Sequence, residues 1–268
     1  MFIIIYKDLI QEMADPPDKS YKLYYFPLTV RAEAIRMMLC HAGTEWRNYK
    51  IGFDQWADLK PGMPNKQMPC LELKNGHRMG ESYAISRYIG SVHGYYPEDP
   101  RTAFEIDFLV ECQDSLLSVI YKPMFAKTNE EKEEQLKNIF EKSLPKFLDL
   151  MEPYCEKANA AGKWLCTDNL SVADFWVGNI YTNFINDKEI PFGVDQFAKC
   201  LDNYPQFRAY GERFTEENKV WMEYRIPVRG VENVHGYEIN DIDGKSLGTI
   251  GEHAKDKKAL LFVNVASF

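Results

Sequence analysis

The sequence predicts a small mixed α/β domain followed by an all-helical domain. Residues 21–93 alternate short apolar strands with two amphipathic helices, an order that builds a mixed sheet flanked by helices. From about residue 103 to 226 the apolar residues recur at helical spacing. Residues 94–100, with two prolines and a charge cluster, are typical of a domain boundary. We therefore place the domains at 21–97 and 98–228, between an N-terminal tail (1–20) and a C-terminal segment (229–268).

Composition argues against several classes of protein. With 268 residues, 45% of them apolar, the chain can bury a sizeable core, and a formal net charge of -8 argues against a nucleic-acid partner. The six cysteines are scattered without Cys-x-x-Cys pairs, so we predict no metal site, no disulfides and a cytoplasmic location. The apolar run at residues 2–6 is shorter than the roughly 7 to 15 residues of a signal-peptide core. No run approaches the roughly 20 residues that cross a bilayer, so we predict no membrane insertion.

Turn and capping residues set the limits of the elements in the first domain. Gly43 and Gly94 are placed to stop two helices, Asn75-Gly76 marks a hairpin turn, and Ser82 offers an N-cap. Strands are predicted at 21–26, 46–51, 70–73 and 78–79, and helices at 31–42 and 83–92.

The second domain has helix stops but few other signals. Ser171-Val172-Ala173-Asp174 has the spacing of a capping box before an apolar run, which we interpret as a structural helix start. Helices are expected to stop at Pro123, Pro153, Gly162, Pro191 and Pro205.

Beyond Pro227 the patterns return to strands and turns. A strand is predicted at 237–240, a turn at 241–244 and an apolar strand at 259–265. Because chains below ~40 residues seldom fold alone, we expect this segment to be disordered or covered by a partner.

Several short motifs, in this order along the chain, resemble the cytosolic glutathione transferases. The most similar branch is the sigma-like one, which includes prostaglandin D synthases and cephalopod lens crystallins. The resemblance covers about residues 21–228 and implies the glutathione transferase fold, a thioredoxin-like α/β domain packed on an all-α domain. It rests on Tyr24-Tyr25-Phe26, Arg31-Ala32-Glu33-Ala34-Ile35-Arg36, Trp56, Leu59-Lys60-Pro61, Gln67-Met68-Pro69-Cys70 and Glu81-Ser82-Tyr83-Ala84.

The resemblance implies that Tyr25 donates a hydrogen bond to the glutathione thiolate. A free thiol with a pKa of ~8.5 is mostly protonated at neutral pH, so the anion needs stabilisation. Tyr24 is the competing residue, but alternation along a strand points it to the opposite face. Arg31 is implied to stabilise the tyrosine and the thiolate.

Further residues are implied to bind glutathione, the co-substrate. Met68-Pro69 matches a cis-proline site. There the backbone of the residue before the proline, here Met68, binds the cysteinyl part of glutathione, and Gln67 lies next to it. Glu81 and Ser82 match the γ-glutamyl site at a helix N-terminus.

Trp56 and Lys60 match contacts to the glycyl end. The resemblance also implies a homodimer in which an acidic side chain of the other subunit approaches the γ-glutamyl amine. Asp114 lies one position from that place and Ser115 falls on it. A second electrophilic substrate is expected near Tyr121, Met124 and Phe125.

The segment 235–268 resembles the opening of glutathione peroxidases, an incomplete thioredoxin-like piece. In that family Asn264-Val265-Ala266-Ser267 would precede the peroxidatic cysteine or selenocysteine. The expectation is that a selenocysteine codon was taken as a stop and that the natural chain continues.

The predicted function is therefore a glutathione transferase that activates the thiol without a metal, with isomerase or peroxidase activity as variants. The alternatives are a non-catalytic ligand-binding or crystallin-like protein on the same fold, and an interaction module in a larger assembly. Turnover distinguishes these from the enzyme.

Overall fold

The computed structural model describes residues 20–185, 193–225, 238–240 and 246–249. The chain divides into two units, Met1–Ile226 and Pro227–Phe268. The predicted N-terminal tail lies outside the described residues, except for Ser20.

The first unit begins with a four-stranded mixed sheet in the order β2-β1-β3-β4. Strand β1 runs parallel to β2 and antiparallel to β3, and β3 pairs with β4 in the predicted hairpin. All four predicted strands are confirmed, within one residue at each end. The strands are β1 (Ser20–Tyr25), β2 (Glu45–Lys50), β3 (Cys70–Leu73) and β4 (Arg78–Met79).

Two longer helices and one short one accompany the sheet: α1 (Glu33–His41), α2 (Trp56–Leu59) and α3 (Ser82–His93). The helix predicted from residue 31 starts instead as a 3₁₀ turn, Val30–Ala32, and becomes α-helical at Glu33. Tight first turns of this kind are common where a helix follows directly on a loop. Further 3₁₀ turns lie at Lys60–Gly62 and Pro64–Lys66.

Strand β1 alternates strictly between two environments. Tyr21, Leu23 and Tyr25 are buried, whereas Lys22 and Tyr24 are half-buried on the other face. This confirms that Tyr24 and Tyr25 point in opposite directions.

Glu72 on β3 holds two cations on the Lys22 face of the sheet. Its carboxylate accepts from Lys22 Nζ and from Arg78 Nε, each at 2.8 Å. The hydrogen bond from Lys22, together with that from Arg78, holds the pKa of Glu72 below its ordinary value. A carboxyl whose pKa is lowered by folding stabilises the protein above its unfolded pKa of about 4.3, and this contribution is lost as the pH falls below that value.

We therefore expect Glu72→Gln to lower the free energy of unfolding by about 1 kcal/mol at neutral pH, since both cations are partly exposed. The difference from wild type should shrink below about pH 4, where the unfolded chain binds the proton first, and should disappear once the pH falls below the lowered pKa of the native carboxyl. Urea midpoints measured across this range test the expectation, with Glu216→Gln, which removes an exposed pair with Lys219, as the control. A difference that stays constant down to low pH would contradict it.

The rest of the first unit is helical. Helix α7 lies at its centre, with every residue buried. Its helices are α4 (Pro100–Ile120), α5 (Asn129–Asn138), α6 (Leu144–Ala161), α7 (Val172–Ile180), α8 (Val194–Cys200), α9 (Pro205–Glu217) and α10 (Lys219–Tyr224). They are joined by 3₁₀ turns at Lys122–Phe125 and Leu201–Asn203 and extended by π-helical turns at Ile139–Ser143 and Tyr181–Ile185.

Helices α7 and α9 approach so closely that glycine is required on both. A methyl group at Gly178 would overlap the Phe214 ring, and one at Gly211 would overlap the Tyr181 ring. Overpacking of this kind distorts a dense core, so the two glycines fix the contact.

The predicted helix stops have mixed outcomes. Gly162 ends α6 in the left-handed conformation, as predicted, and Pro205 opens α9. The stop at Pro153 is wrong, since α6 continues through it. A proline inside a helix costs one backbone hydrogen bond, and burial of Phe147 and Met151 on the inner face offsets that loss here. Pro191 lies outside the described residues.

The predicted helix start at Ser171 is confirmed. The Asp174 carboxylate there accepts more hydrogen bonds than a capping box requires. The Asp174 carboxylate accepts from the Ser171 N–H at 2.8 Å and its hydroxyl at 2.7 Å. It also accepts from the Leu165 N–H at 3.0 Å and the Tyr210 hydroxyl at 2.9 Å. One buried carboxylate thereby joins the start of α7 to the preceding loop and to α9.

All six cysteines are free thiols. Burial raises the pKa of each, to about 11 for Cys70 and about 12 for Cys166. The same direction holds for Cys40, Cys112, Cys155 and Cys200.

In the second unit, β5 (Glu238–Asn240) pairs antiparallel with β6 (Ser246–Thr249). Strand β5 covers three of the four residues of the predicted strand at 237–240, and residue 237 lies outside the described residues. The predicted turn at 241–244 and strand at 259–265 lie outside the described residues. Across the part of the chain that the structure describes, no helix combines the length and apolar character needed to cross a membrane.

Candidate active site

Tyr25 ends β1 and is almost completely buried, with 6% of its surface exposed. The chain then turns back, so that the Arg31 N–H lies 3.4 Å from the Tyr25 hydroxyl oxygen and donates to it. Burial raises the pKa of Tyr25, against the smaller opposing effects of this N–H and of the guanidinium groups of Arg36 and Arg31. The phenol is therefore protonated at neutral pH and can donate a hydrogen bond.

The Arg31 side chain is held by an ion pair. Its Nη1 lies 2.9 Å from Asp114 Oδ1, and the same oxygen accepts from the Tyr83 hydroxyl at 2.7 Å. Asp114, predicted as a contact to the other subunit, is thus engaged within its own chain, and the contact between subunits stays a prediction. Tyr83 was not singled out from the sequence, although it directly follows Ser82.

The predicted cis bond between Met68 and Pro69 is present. Because Tyr24 pairs with Cys70 across the antiparallel β1 and β3 strands, Tyr25 and Pro69 lie at the same edge of the sheet. Met68 is half-buried at this edge and Gln67 is exposed.

Ser82 was predicted as the N-cap of α3, and that position is wrong by one residue. Glu81 caps the helix with a φ of 66°, its carbonyl accepts from the Ile85 N–H at 2.9 Å, and Ser82 is the first helical residue. Ser82 is buried, while the exposed Glu81 carboxylate accepts from the Asn65 amide at 2.9 Å. The N-terminus of a helix of this length favours a carboxylate, as the predicted γ-glutamyl site requires.

An aromatic cluster next to Tyr25 includes Trp56. The Trp56 ring meets Phe26 edge-on with centroids 5.6 Å apart, and Phe26 stacks on Phe53 at 4.7 Å. Trp56 therefore contacts Phe26, the residue that directly follows Tyr25. Lys60 is exposed on the turn that follows α2.

Sequence reasoning missed Arg36, although its position was informative. Its guanidinium carbon lies 5.6 Å from the centroid of the Tyr25 ring. It donates to the carbonyls of Leu28 at 2.7 Å and Phe26 at 3.3 Å, which belong to the loop after Tyr25. A charged residue three positions after Glu33 on an otherwise apolar helix was the available signal.

Comparison with known proteins places the chain among its relatives. Two family models match, "Glutathione S-transferase, N-terminal domain" at residues 19–91 and "Glutathione S-transferase, C-terminal domain" at residues 114–223. The chain is 31% identical over 158 residues to the class-mu 28 kDa glutathione S-transferase of Schistosoma haematobium, covering 57% of this chain and 73% of that protein. The chain belongs to the glutathione S-transferase family.

Other glutathione S-transferase relatives agree in sequence or in fold. S-crystallin SL11 of Nototodarus sloanii is 27% identical over 203 residues, which cover 75% of this chain and 93% of the crystallin. The structure of monomeric Na-GST-3 of Necator americanus aligns with a TM-score of 0.67 at 23% identity, over 79% and 100% of the two chains. Prostaglandin synthase D of Nilaparvata lugens aligns at 0.65 and 23%, over 77% and 98%.

These comparisons confirm the predicted glutathione transferase fold and the predicted enzyme class, a glutathione transferase. The matched models end at residue 223, so the peroxidase-like interpretation of 235–268 stays a prediction.

Proposed function

We propose that this glutathione transferase uses the Tyr25 hydroxyl to hold the sulfur of glutathione as a thiolate, which then attacks an electrophile. The observation that supports this is the buried Tyr25 phenol, which keeps its proton and lies at the same sheet edge as the cis Met68-Pro69 bond. Hydrogen bonding to an anion lowers its pKa, so the fraction of reactive thiolate rises at neutral pH. Because the donor is preorganised, little reorganisation is needed during reaction.

The proposed binding mode follows the residues around this edge. The backbone of Met68 would receive the cysteinyl part of glutathione, next to Gln67. The first turn of α3 with Ser82 would receive the γ-glutamyl carboxylate, and Glu81 its ammonium group.

Trp56 and Lys60 would reach the glycyl end, where an ammonium group can pair with a carboxylate. For the electrophile we propose the region of Tyr121, Met124 and Phe125. Met124 and Phe125 are 41% and 72% exposed, so this region offers apolar surface for a second substrate.

We propose further that the enzyme is sigma-like, cytoplasmic and a homodimer, active in conjugation of electrophiles. The likeness to S-crystallin SL11 supports the branch. A stacked pair of partly to largely exposed rings, Phe104 and Phe108 on α4, offers a surface for a second subunit. Prostaglandin-type isomerisation would use the same thiolate.

The test is the ultraviolet difference spectrum of bound glutathione as a function of pH. We expect a thiol pKa at least one unit below the ~8.5 of a free thiol, and a return toward that value in Tyr25→Phe. Tyr24→Phe is the matched control, because its hydroxyl faces Glu72 on the opposite side of the sheet. Binding of glutathione without a lowered pKa would favour the crystallin-like alternative.

A further inference from the structure

A fully buried carboxylate belongs to Glu33, the first residue of α1, which follows the loop after Tyr25. One oxygen accepts from Arg36 Nη1 at 3.0 Å. The other accepts from the Trp221 indole N–H at 2.9 Å and lies 3.6 Å from Arg225 Nη1. The Glu33 carboxylate therefore connects Arg36 on α1 with Trp221 on α10 and with Arg225, which directly follows α10.

The Arg36 guanidinium extends this connection to the loop that follows Tyr25. The same Nη1 that meets Glu33 also donates to the Leu28 carbonyl, while Nη2 donates to the Phe26 carbonyl. Its Nε donates to the Asn48 side chain at 3.3 Å. A guanidinium has five donors in a fixed plane, so these partners define one orientation beside the Tyr25 ring.

The other end of the connection is fixed within the helical part. Arg225 donates to the Asn183 side-chain oxygen, and Asn183 in turn donates to Asn179. Asn183 lies in the π-helical turn Tyr181–Ile185, a local widening that is frequent at functional sites. Trp221 also packs on Trp46 of β2 with ring centroids 5.8 Å apart.

We propose that Glu33 is a positioning residue for the transferase reaction. Its carboxylate orients Arg36, and Arg36 in turn positions the Tyr25 hydroxyl through the Phe26 and Leu28 carbonyls. Trp221 of α10 and Arg225, which follows that helix, dock on the same carboxylate. The inference rests on the proposed role of Tyr25. Removal of the carboxylate leaves Arg36 buried without its counter-charge, and such a cation reorients toward other acceptors. The loop carbonyls that it holds then lose their fixed position.

The test compares Glu33→Gln with Trp221→Phe, which keeps an aromatic ring against Trp46 but removes the donor to Glu33. The readout is the pKa of the bound glutathione thiol in the full chain, measured with the glutathione dissociation constant. We expect Trp221→Phe to raise this pKa by about half a unit, a threefold loss of thiolate well below the pKa, and Glu33→Gln to raise it further. The dissociation constant should change less than about twofold.

Trp164→Phe is the matched control, since its ring packs on Arg213, Tyr210 and Phe214 instead. If Glu33→Gln does not fold, Trp221→Phe decides alone. A lowered unfolding midpoint with a wild-type thiol pKa would overturn the inference, because the network would then only stabilise the fold. Tyr25→Phe in the same titration separates the two proposals: if it also leaves the pKa unchanged, the proposed role of Tyr25 fails as well.

Discussion

Replacing Tyr25 with phenylalanine should lower kcat/KM for glutathione conjugation by at least about tenfold at about pH 6.5, or at least about 1.4 kcal/mol of transition-state stabilisation. Without the hydroxyl, the bound thiol returns toward its free pKa of about 8.5, so only about one molecule in a hundred is a thiolate at that pH. Burial raises the pKa of Tyr25, so the wild-type hydroxyl keeps its proton at this pH and can donate it to the thiolate in a hydrogen bond.

The pH dependence makes the expectation specific. Above about pH 9 the thiolate forms unaided, so the Phe variant should approach wild-type activity. Initial rates from about pH 6 to 9.5 with saturating electrophile measure this. Tyr24→Phe, which alters the neighbouring hydroxyl on the opposite face, should follow the wild-type profile. A loss in the Tyr25 variant that is equal at every pH would mean that Tyr25 acts on something other than thiol ionisation.

Asp174→Ala should destabilise the protein by about 3–4 kcal/mol, a large part of the 5–15 kcal/mol typical of a folded domain. The substitution leaves the Ser171 N–H, the Leu165 N–H and the Tyr210 hydroxyl buried without their acceptor, at about 1–3 kcal/mol each. Burial raises the pKa of Asp174, so desolvation of its charge opposes folding at neutral pH and reduces the net loss below the sum of these costs.

Urea unfolding measures this as a lower midpoint with an unchanged slope. Asp202→Ala is the control, because that carboxylate is 70% exposed in its pair with Arg208 and should contribute at most about 0.5 kcal/mol. Asp174→Asn keeps the shape and one acceptor oxygen, so its midpoint should lie between the other two. Equal midpoints for the two alanine variants would mean that the start of α7 is held by packing alone.

Local signals predicted the fold because they act over a few residues. The alternation of β1, the Asn75-Gly76 turn and the glycine at 162 each specify a backbone geometry that neighbours seldom override. Pro153 was misjudged because the burial of the α6 inner face, a tertiary effect, outweighs the local penalty. The N-cap of α3 was predicted one residue too late, at Ser82, because Glu81 adopts a positive φ that its residue type does not indicate.

The geometry of the candidate site was predictable only where its parts are close in sequence or match a family motif. The family resemblance assigned the role to Tyr25, strand alternation argued against Tyr24, and the cis bond at Pro69 came from its motif. The network around Glu33 was not predictable, because Trp221 reaches that carboxylate across 188 residues of sequence. The Arg31–Asp114 pair likewise depends on how α4 packs, which no local pattern specifies.

The two buried and four half-buried cysteines have a consequence for a protein that handles reactive carbon centres. Alkylation of a cysteine requires its thiolate, and a raised pKa at all six positions keeps these thiols in the unreactive form at neutral pH. An electrophile that enters the enzyme therefore finds the sulfur of the bound tripeptide as its favoured target. We therefore expect these six cysteines to be alkylated more slowly than an ordinary exposed cysteine by the electrophiles that the enzyme conjugates.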